Sequence, residues 1–380
     1  MSGGPASPAA PVPVSILTGF LGSGKTTLLN HLVRAPGMTR ALVIINEFGA
    51  VGLDHDLIAR SNEDMVVEMM GGCLCCTIRG DLARTLRDAP WRFARDGQCW
   101  FDRVVIETTG LADPAPILHT LMADPQLAAL YRLDAVIATV DAATGMATLD
   151  MQEEAVKQAA VADRLLLTKT DLVDDGVATA IRARLTAINP GASILSVTNG
   201  AVNPDLLFDV GLWDPASKND EVRRWLAEEA YHDGHGDDAH HHHHDHGHHH
   251  HHDVNRHDDG IRATCLTFDT PLDAQAFDRW LGVLTMFKGQ DLLRVKGIVN
   301  LADHPRPVIV HGVQHIFHPP VELDDWPSSD RRTRMVFITR GIDPEELRGT
   351  LALMTLGLSE VGLQGLIESV AAEDALKERP

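Results

Sequence analysis

Gly19-Phe20-Leu21-Gly22-Ser23-Gly24-Lys25-Thr26 is the stretch that decides the fold. It fits the pattern of a phosphate-binding P-loop, which requires an extended run before it and a helix after it. Residues 14–18 form a short apolar run rich in β-formers, and residues 26–33 carry a helical pattern. Sequence and context therefore agree. Gly19, Gly22 and Gly24 let backbone N–H groups turn inward around a β-phosphate, with Ser23 and Thr27 completing the binding stretch, and the helix N-terminus adds positive dipole. Lys25 is placed to reach the β and γ oxygens, and Thr26 to offer its hydroxyl to Mg²⁺.

Working outward, residues 40–45, 65–69, 104–106, 135–140 and 164–168 are further β-rich runs, with helical patterns such as 82–86 between most of them. Alternating strands and helices predict an α/β fold with a mostly parallel sheet covered on both faces.

Thr168-Lys169-Thr170-Asp171 closes one of these runs and resembles the guanine-specificity motif of P-loop GTPases, with Thr168 where asparagine is commonest. A carboxylate at Asp171 can accept from both guanine N1–H and the exocyclic amine, a pair that adenine lacks. Lys169 is expected to lie along the purine with its stem. GTP is therefore favoured over ATP. Asparagine would tie this loop to the P-loop, so Thr168 predicts a weaker tie.

Glu107-Thr108-Thr109-Gly110 follows residues 104–106 and occupies the Walker B place. Glu107 is expected to meet Mg²⁺ through a water and, with Lys25 and Thr26, to form the catalytic set. Leu111 stands where Ras-like GTPases carry the glutamine that orients the attacking water, so unassisted hydrolysis is expected no faster than the order of 10⁻² s⁻¹.

A second constellation is Gly71-Gly72-Cys73-Leu74-Cys75-Cys76. Alternation puts Cys73 and Cys75 on one side of an extended segment, and a turn toward the following helix brings Cys76 round. Three thiolates favour Zn²⁺ or Cu(I) over Mg²⁺ or Ca²⁺, and a closed structural zinc site takes four ligands, so three leave an opening suited to uptake and transfer. The ligand chemistry does not separate Zn²⁺ from Co²⁺. Cys99 and Cys265, both isolated, are expected in the core.

The 380 residues hold 33 Lys plus Arg against 53 Asp plus Glu, a net charge of −20. With no basic stripe, that sign disfavours nucleic acid as a partner. No run of about 20 apolar residues is present to span a membrane, and no secretory signal opens the chain, so a cytoplasmic address is expected. Fourteen of the 21 histidines fall between Tyr231 and Gly260, among Asp and Gly. That composition cannot bury apolar surface and predicts a flexible linker. Its imidazoles suit a metal reservoir. The expected division is a tail at 1–12, a P-loop domain at 13–212, the histidine-rich linker at 213–260 and a smaller α+β domain at 261–380.

In that last part, residues 262–268, 292–301 and 308–317 are expected strands and 272–286 a helix. His311 and His315 are placed on one strand face and are not assigned to metal. Asp343-Pro344 followed by Glu346 starts a further helix.

The P-loop, Asn46-Glu47-Phe48-Gly49, residues 72–76, residues 107–110 and residues 168–171 together resemble the CobW-like branch of the P-loop metallochaperone GTPases, whose relatives serve hydrogenase, urease and cobalamin assembly. Arg294-Val295-Lys296-Gly297 resembles the CobW C-terminal domain. The resemblance implies GTP-dependent delivery of a metal ion, most often zinc, to a client protein. It also implies the three cysteines as the metal site and Glu47 in a nucleotide-sensing switch. A cobalt chaperone for cobalamin synthesis, a non-catalytic histidine-rich metal buffer and a signalling GTPase with structural zinc stay open as alternatives. So does a nucleotide-dependent homo-oligomer.

Overall fold

A computed structural model describes residues 10–48, 66–71, 76–208 and 260–351. The first sheet is built from β1 (Val12–Gly19), β2 (Ala41–Phe48), β3 (Val66–Gly71), β4 (Arg103–Glu107), β5 (Tyr131–Asp141), β6 (Arg164–Thr168) and β7 (Ser193–Val197). Its order is β3-β2-β4-β1-β5-β6-β7, and every pairing is parallel. All five residues of β6 are buried, as a strand covered on both faces requires.

Side-chain alternation sends Val14, Ile16, Leu42 and Ile44 into one core and Leu17, Val43 and Ile45 into the other. Helix α1 (Lys25–Leu32) covers the second face. Helices α2 (Cys76–Arg92), α3 (Ala115–Ala123) and α4 (Pro125–Leu130) contribute to the first. Then α5 (Gly145–Met151), α6 (Glu153–Val161) and α7 (Asp175–Ile188) enclose a third cluster around Leu165 and Leu167. Asp124 and Asp174 cap α4 and α7 with their carboxylates. Strand β7, absent from the sequence-based expectation, is an edge strand whose residues are mostly half-buried, so its apolar signal is weak.

The second sheet has β8 (Ile261–Phe268), β9 (Leu292–Val299), β10 (Val308–Val313), β11 (Ile316–Phe317), β12 (Val321–Glu322) and β13 (Thr333–Arg340), in the order β8-β13-β9-β10-β11 with β12 on β10. All its pairings are antiparallel. Helix α8 (Ala274–Lys288) buries Trp280 and Phe277 on one face, and α9 (Pro344–Gly349) starts at Asp343, which caps it as expected.

Three expectations need correction. β13 was not foreseen, although its central residues are buried. Residues 308–317 are a hairpin and not one strand, because Gln314 takes a left-handed φ of 54°. His315 therefore sits in the turn, off the face of His311. Cys99 and Cys265 are half-buried at the margins of apolar clusters, not within the core. No helix among the described residues is long and apolar enough to cross a membrane.

The two sheets share packing. Leu293 and Ile338 of the second join the third cluster of the first. Asp163, just before β6, takes Arg294 at 2.5 Å and Lys296 at 2.6 Å, while its other oxygen accepts the Val136 N–H at 2.9 Å. Burial opposes the Asp163 charge, yet Arg294 and Lys296 hold its carboxyl well below the ordinary range. Burial pushes the Lys296 ammonium down to about 8 against the pull of Asp163.

Candidate functional site

The turn after β1 is built by glycine. Gly19, Gly22 and Gly24 have φ values of 138°, 72° and 98°, where side chains with a Cβ are strained. A Cβ on Gly19 would also meet the Thr139 carbonyl oxygen at 2.5 Å. Ser23 N–H bonds back to Phe20 O at 3.1 Å, and Gly24 caps α1. Such a loop points successive N–H groups into one concavity, at a helix N-terminus that favours an anion.

Lys25 is 8 % exposed, and its ammonium donates to the carbonyls of Gly19 at 2.8 Å and Phe20 at 3.2 Å. A phosphate would replace these neutral acceptors by charged ones, a stronger bond for the same donor. Thr26 directs its hydroxyl at Glu107 Oε1, 3.4 Å away, across the β1–β4 boundary. A hydroxyl and a carboxylate converging beside a phosphate cradle are hard oxygen donors, the set that suits Mg²⁺. Thr27 follows in the first turn of α1, whose other side is closed by the 198–201 turn. Gly200 approaches so closely that a Cβ there would meet Thr27 O at 2.6 Å.

The 168–171 loop is tied to the P-loop. The Thr168 hydroxyl donates to Ser23 O at 2.7 Å, and Ser23 Oγ shares a 2.6 Å bond with Thr139 Oγ1. The weaker tie expected from the missing asparagine is thus made by a hydroxyl. Lys169 has a left-handed φ of 55° and pairs its ammonium with Asp141 at 2.7 Å. Burial raises the cost of charging Asp141, but Lys169 and the Ala143 N–H outweigh it and hold the carboxyl below its usual value. Asp171 is exposed in the following 3-10 turn.

After Glu107 the chain crosses directly over the P-loop. A Cβ at Gly110 would stand 2.6 Å from Leu21 N, and Leu111 is 54 % exposed beyond it. The loop is anchored from behind by Gln158 of α6, which donates to Gly110 O at 3.3 Å and Ala112 O at 2.9 Å.

Asp141, Thr139, Gln158 and Gly200 were not found by sequence reasoning. Only Gly200, in Thr198-Asn199-Gly200, carries a turn signal.

Cys73 and Cys75 lie outside the described residues, as does the histidine-rich tract. The backbone of Cys76 opens α2, and Glu47 pairs with Met70 at the end of β2, with both side chains outside the description. Phe48 is level with Gly71, so β2 and β3 end side by side. These strand ends lie at the same end of the sheet as Gly19 of β1 and Glu107 of β4. Two strand spacings, about 10 Å, separate β3 from β4.

Residues 13–196 match the CobW/HypB/UreG nucleotide-binding domain, and residues 261–354 the cobalamin synthesis protein CobW C-terminal domain. The chain is 32 % identical over 342 residues to the zinc chaperone YjiA of Escherichia coli, covering 90 % of this chain and 98 % of that protein. It is 31 % identical over 253 residues to the zinc-regulated GTPase metalloprotein activator 1 of Dictyostelium discoideum, covering 57 % of this chain and 52 % of that protein. The crystal structure of Zn(II)-bound YjiA GTPase from E. coli superposes with a TM-score of 0.61 at 29 % identity, over 90 % of this chain and 98 % of that one.

Proposed function

The chain belongs to the CobW/HypB/UreG family of nucleotide-binding proteins, with a CobW C-terminal domain, and on that premise we propose that it is a GTP-hydrolysing metallochaperone. It binds zinc through Cys73, Cys75 and Cys76 and hands it to a client protein. One observation carries the proposal. The phosphate cradle, the Thr26–Glu107 pair and the ends of β2 and β3 at Phe48 and Gly71 lie at the same end of one parallel sheet. A γ-phosphate held there would bias the strand ends at Phe48 and Gly71 and, through the chain that follows Gly71, the three thiols. Zinc is the metal named for the relatives that span most of this chain.

In this reading Lys25 and the loop N–H groups neutralise charge on the β and γ oxygens. Thr26 and Glu107 would hold Mg²⁺, which would supply charge stabilisation to the leaving group. Asp171 selects guanine, and Lys169, steered by Asp141, lies along the base. Leu111 offers no amide to a nucleophilic water, so basal turnover is slow. The site operates in the cytoplasm.

Purified protein is assayed for GTP turnover with and without one equivalent of zinc, followed by metal analysis before and after hydrolysis. The expected result is turnover at or below the order of 10⁻² s⁻¹ without a partner, retained zinc in the GTP-analogue form, and altered retention after hydrolysis. Lys25→Ala removes turnover and client activation but not zinc binding. A Lys25→Ala protein that still activates its client makes the chain a metal buffer, and cobalt recovered in place of zinc makes it a cobalt carrier.

A further inference from the structure

Helix α6 is gripped by three parts of the molecule at once. Near its start, Glu153 pairs with Arg340 of β13, which also bonds Asp291 at 3.1 Å. At its end, the Val161 carbonyl accepts from Arg294 of β9, and Asp163 two residues on takes Arg294 and Lys296. Between these clamps Gln158, 1 % exposed, donates its amide to Gly110 O and Ala112 O. Those carbonyls belong to the loop that lies on Leu21 of the P-loop.

Packing alone does not explain an amide there. A methionine of similar length fills the same space without the cost of desolvating an amide group. What the glutamine adds is direction: two donors aimed at two carbonyls of a loop with no helix or strand of its own. A nine-residue helix fixed at both ends is a stiff strut. Any shift of the loop on γ-phosphate binding must break both amide bonds or move α6 with its partners in β9 and β13.

We propose that Gln158 is a positioning residue for GTP hydrolysis and that α6 links the Gly110–Ala112 loop to the C-terminal sheet. This rests on the GTPase reading above. Gln158 touches no phosphate; it acts by setting where the post-Walker loop sits over the P-loop. The second sheet thereby reports on, and acts on, the γ-phosphate side of the site.

The test uses the full chain with Gln158→Met, Arg340→Gln and the double variant. Single-turnover hydrolysis, titration with fluorescent GDP and GTP analogues, and amide hydrogen exchange of β9 and β13 are measured on each. Gln158→Met is expected to lower the hydrolysis rate constant about tenfold with nucleotide affinity within about twofold, the signature of lost positioning. Arg340→Gln lowers it about threefold, and the double variant falls short of the product because both act through α6. Wild-type rates in Gln158→Met overturn the positioning role, and losses in affinity as large as those in rate make the residue merely structural. Multiplicative losses overturn the link. Should Gln158→Met not fold, Arg340→Gln decides alone, since an unchanged rate there overturns the link.

If the wild type hydrolyses no GTP, the proposed function fails, and hydrogen exchange judges the link by itself. A GTP analogue then changes exchange in β9 and β13 of the wild type, and the absence of any change overturns it.

Discussion

Thr168 donates its hydroxyl to the carbonyl of Ser23 at 2.7 Å, joining the 168–171 loop to the P-loop at a position where the motif it resembles carries asparagine. The same hydroxyl also lies 3.2 Å from Val140 O. With Thr168 only 6 % exposed, water does not replace it readily. Thr168→Val, which keeps the shape and removes the donor, is expected to cost about 1 kcal/mol of nucleotide binding, roughly a fivefold rise in Kd. Titration with a fluorescent GDP analogue measures it, and an unchanged Kd means the two loops are held by packing alone.

Asp171 stands exposed at the end of that loop. Asp171→Asn replaces a double acceptor with one acceptor and one donor, the complement of a xanthine edge. Affinity for GTP is expected to drop about 10²-fold or more while xanthosine triphosphate gains. Competition binding with both nucleotides is the measurement, and equal losses for the two would assign the residue to loop structure.

Gly110 lies against the P-loop with no room for a side chain. Gly110→Ala forces Leu21 or the loop itself to shift, so hydrolysis should fall at least tenfold, with weaker nucleotide binding besides. Wild-type kinetics for this variant would show that the loop yields without consequence.

Asp163 balances Arg294 and Lys296 between the sheets, at a side-chain exposure of 10 %. Asp163→Asn leaves those cations without their carboxylate and is expected to destabilise the chain by about 3–5 kcal/mol. Because the folded carboxyl lies below its unfolded value of about 4, its contribution is complete above that pH and drains away as pH falls beneath it. Denaturation midpoints from pH 7 downward should therefore decline less steeply for Asp163→Asn than for the wild type.

Zinc affinity is expected to differ between the GTP-analogue and GDP states, and to weaken in both as acid returns protons to the thiolates. A switch from 1:99 to 99:1 requires a differential of about 5.5 kcal/mol, which γ-phosphate and Mg²⁺ contacts must supply. Chelator competition in the two states provides the values; identical ones would uncouple the sites.

Much of the candidate site's local structure was legible because its chemistry is local. A turn of three glycines at left-handed φ followed by Lys-Thr is a short-range demand, and Lys25, Thr26 and their helix follow each other in the chain. Glu107 and Thr168 were placed for a similar reason, as residues ending apolar strands. What stayed hidden depends on partners distant in sequence. Asp141 acquires meaning from Lys169, Gln158 from Gly110, and Asp163 from Arg294, 131 residues away. The residues 308–317 misled because a single left-handed glutamine breaks a run in which Val, Ile and Phe predominate.

By itself, then, the order of residues determined that this chain folds as a parallel α/β sheet around a triphosphate cradle and that a thiol-rich segment follows the second and third strands. Glycine conformation, strand periodicity and ligand softness are properties of short segments and need no third dimension. Only the tertiary structure decided how the pieces act on one another. It set the Thr168 hydroxyl against Ser23, an aspartate against Lys169, and α6 between the Gly110–Ala112 loop and the second sheet. Hydrogen bonds and buried ion pairs require their atoms within a few ångströms, and folding alone creates that proximity.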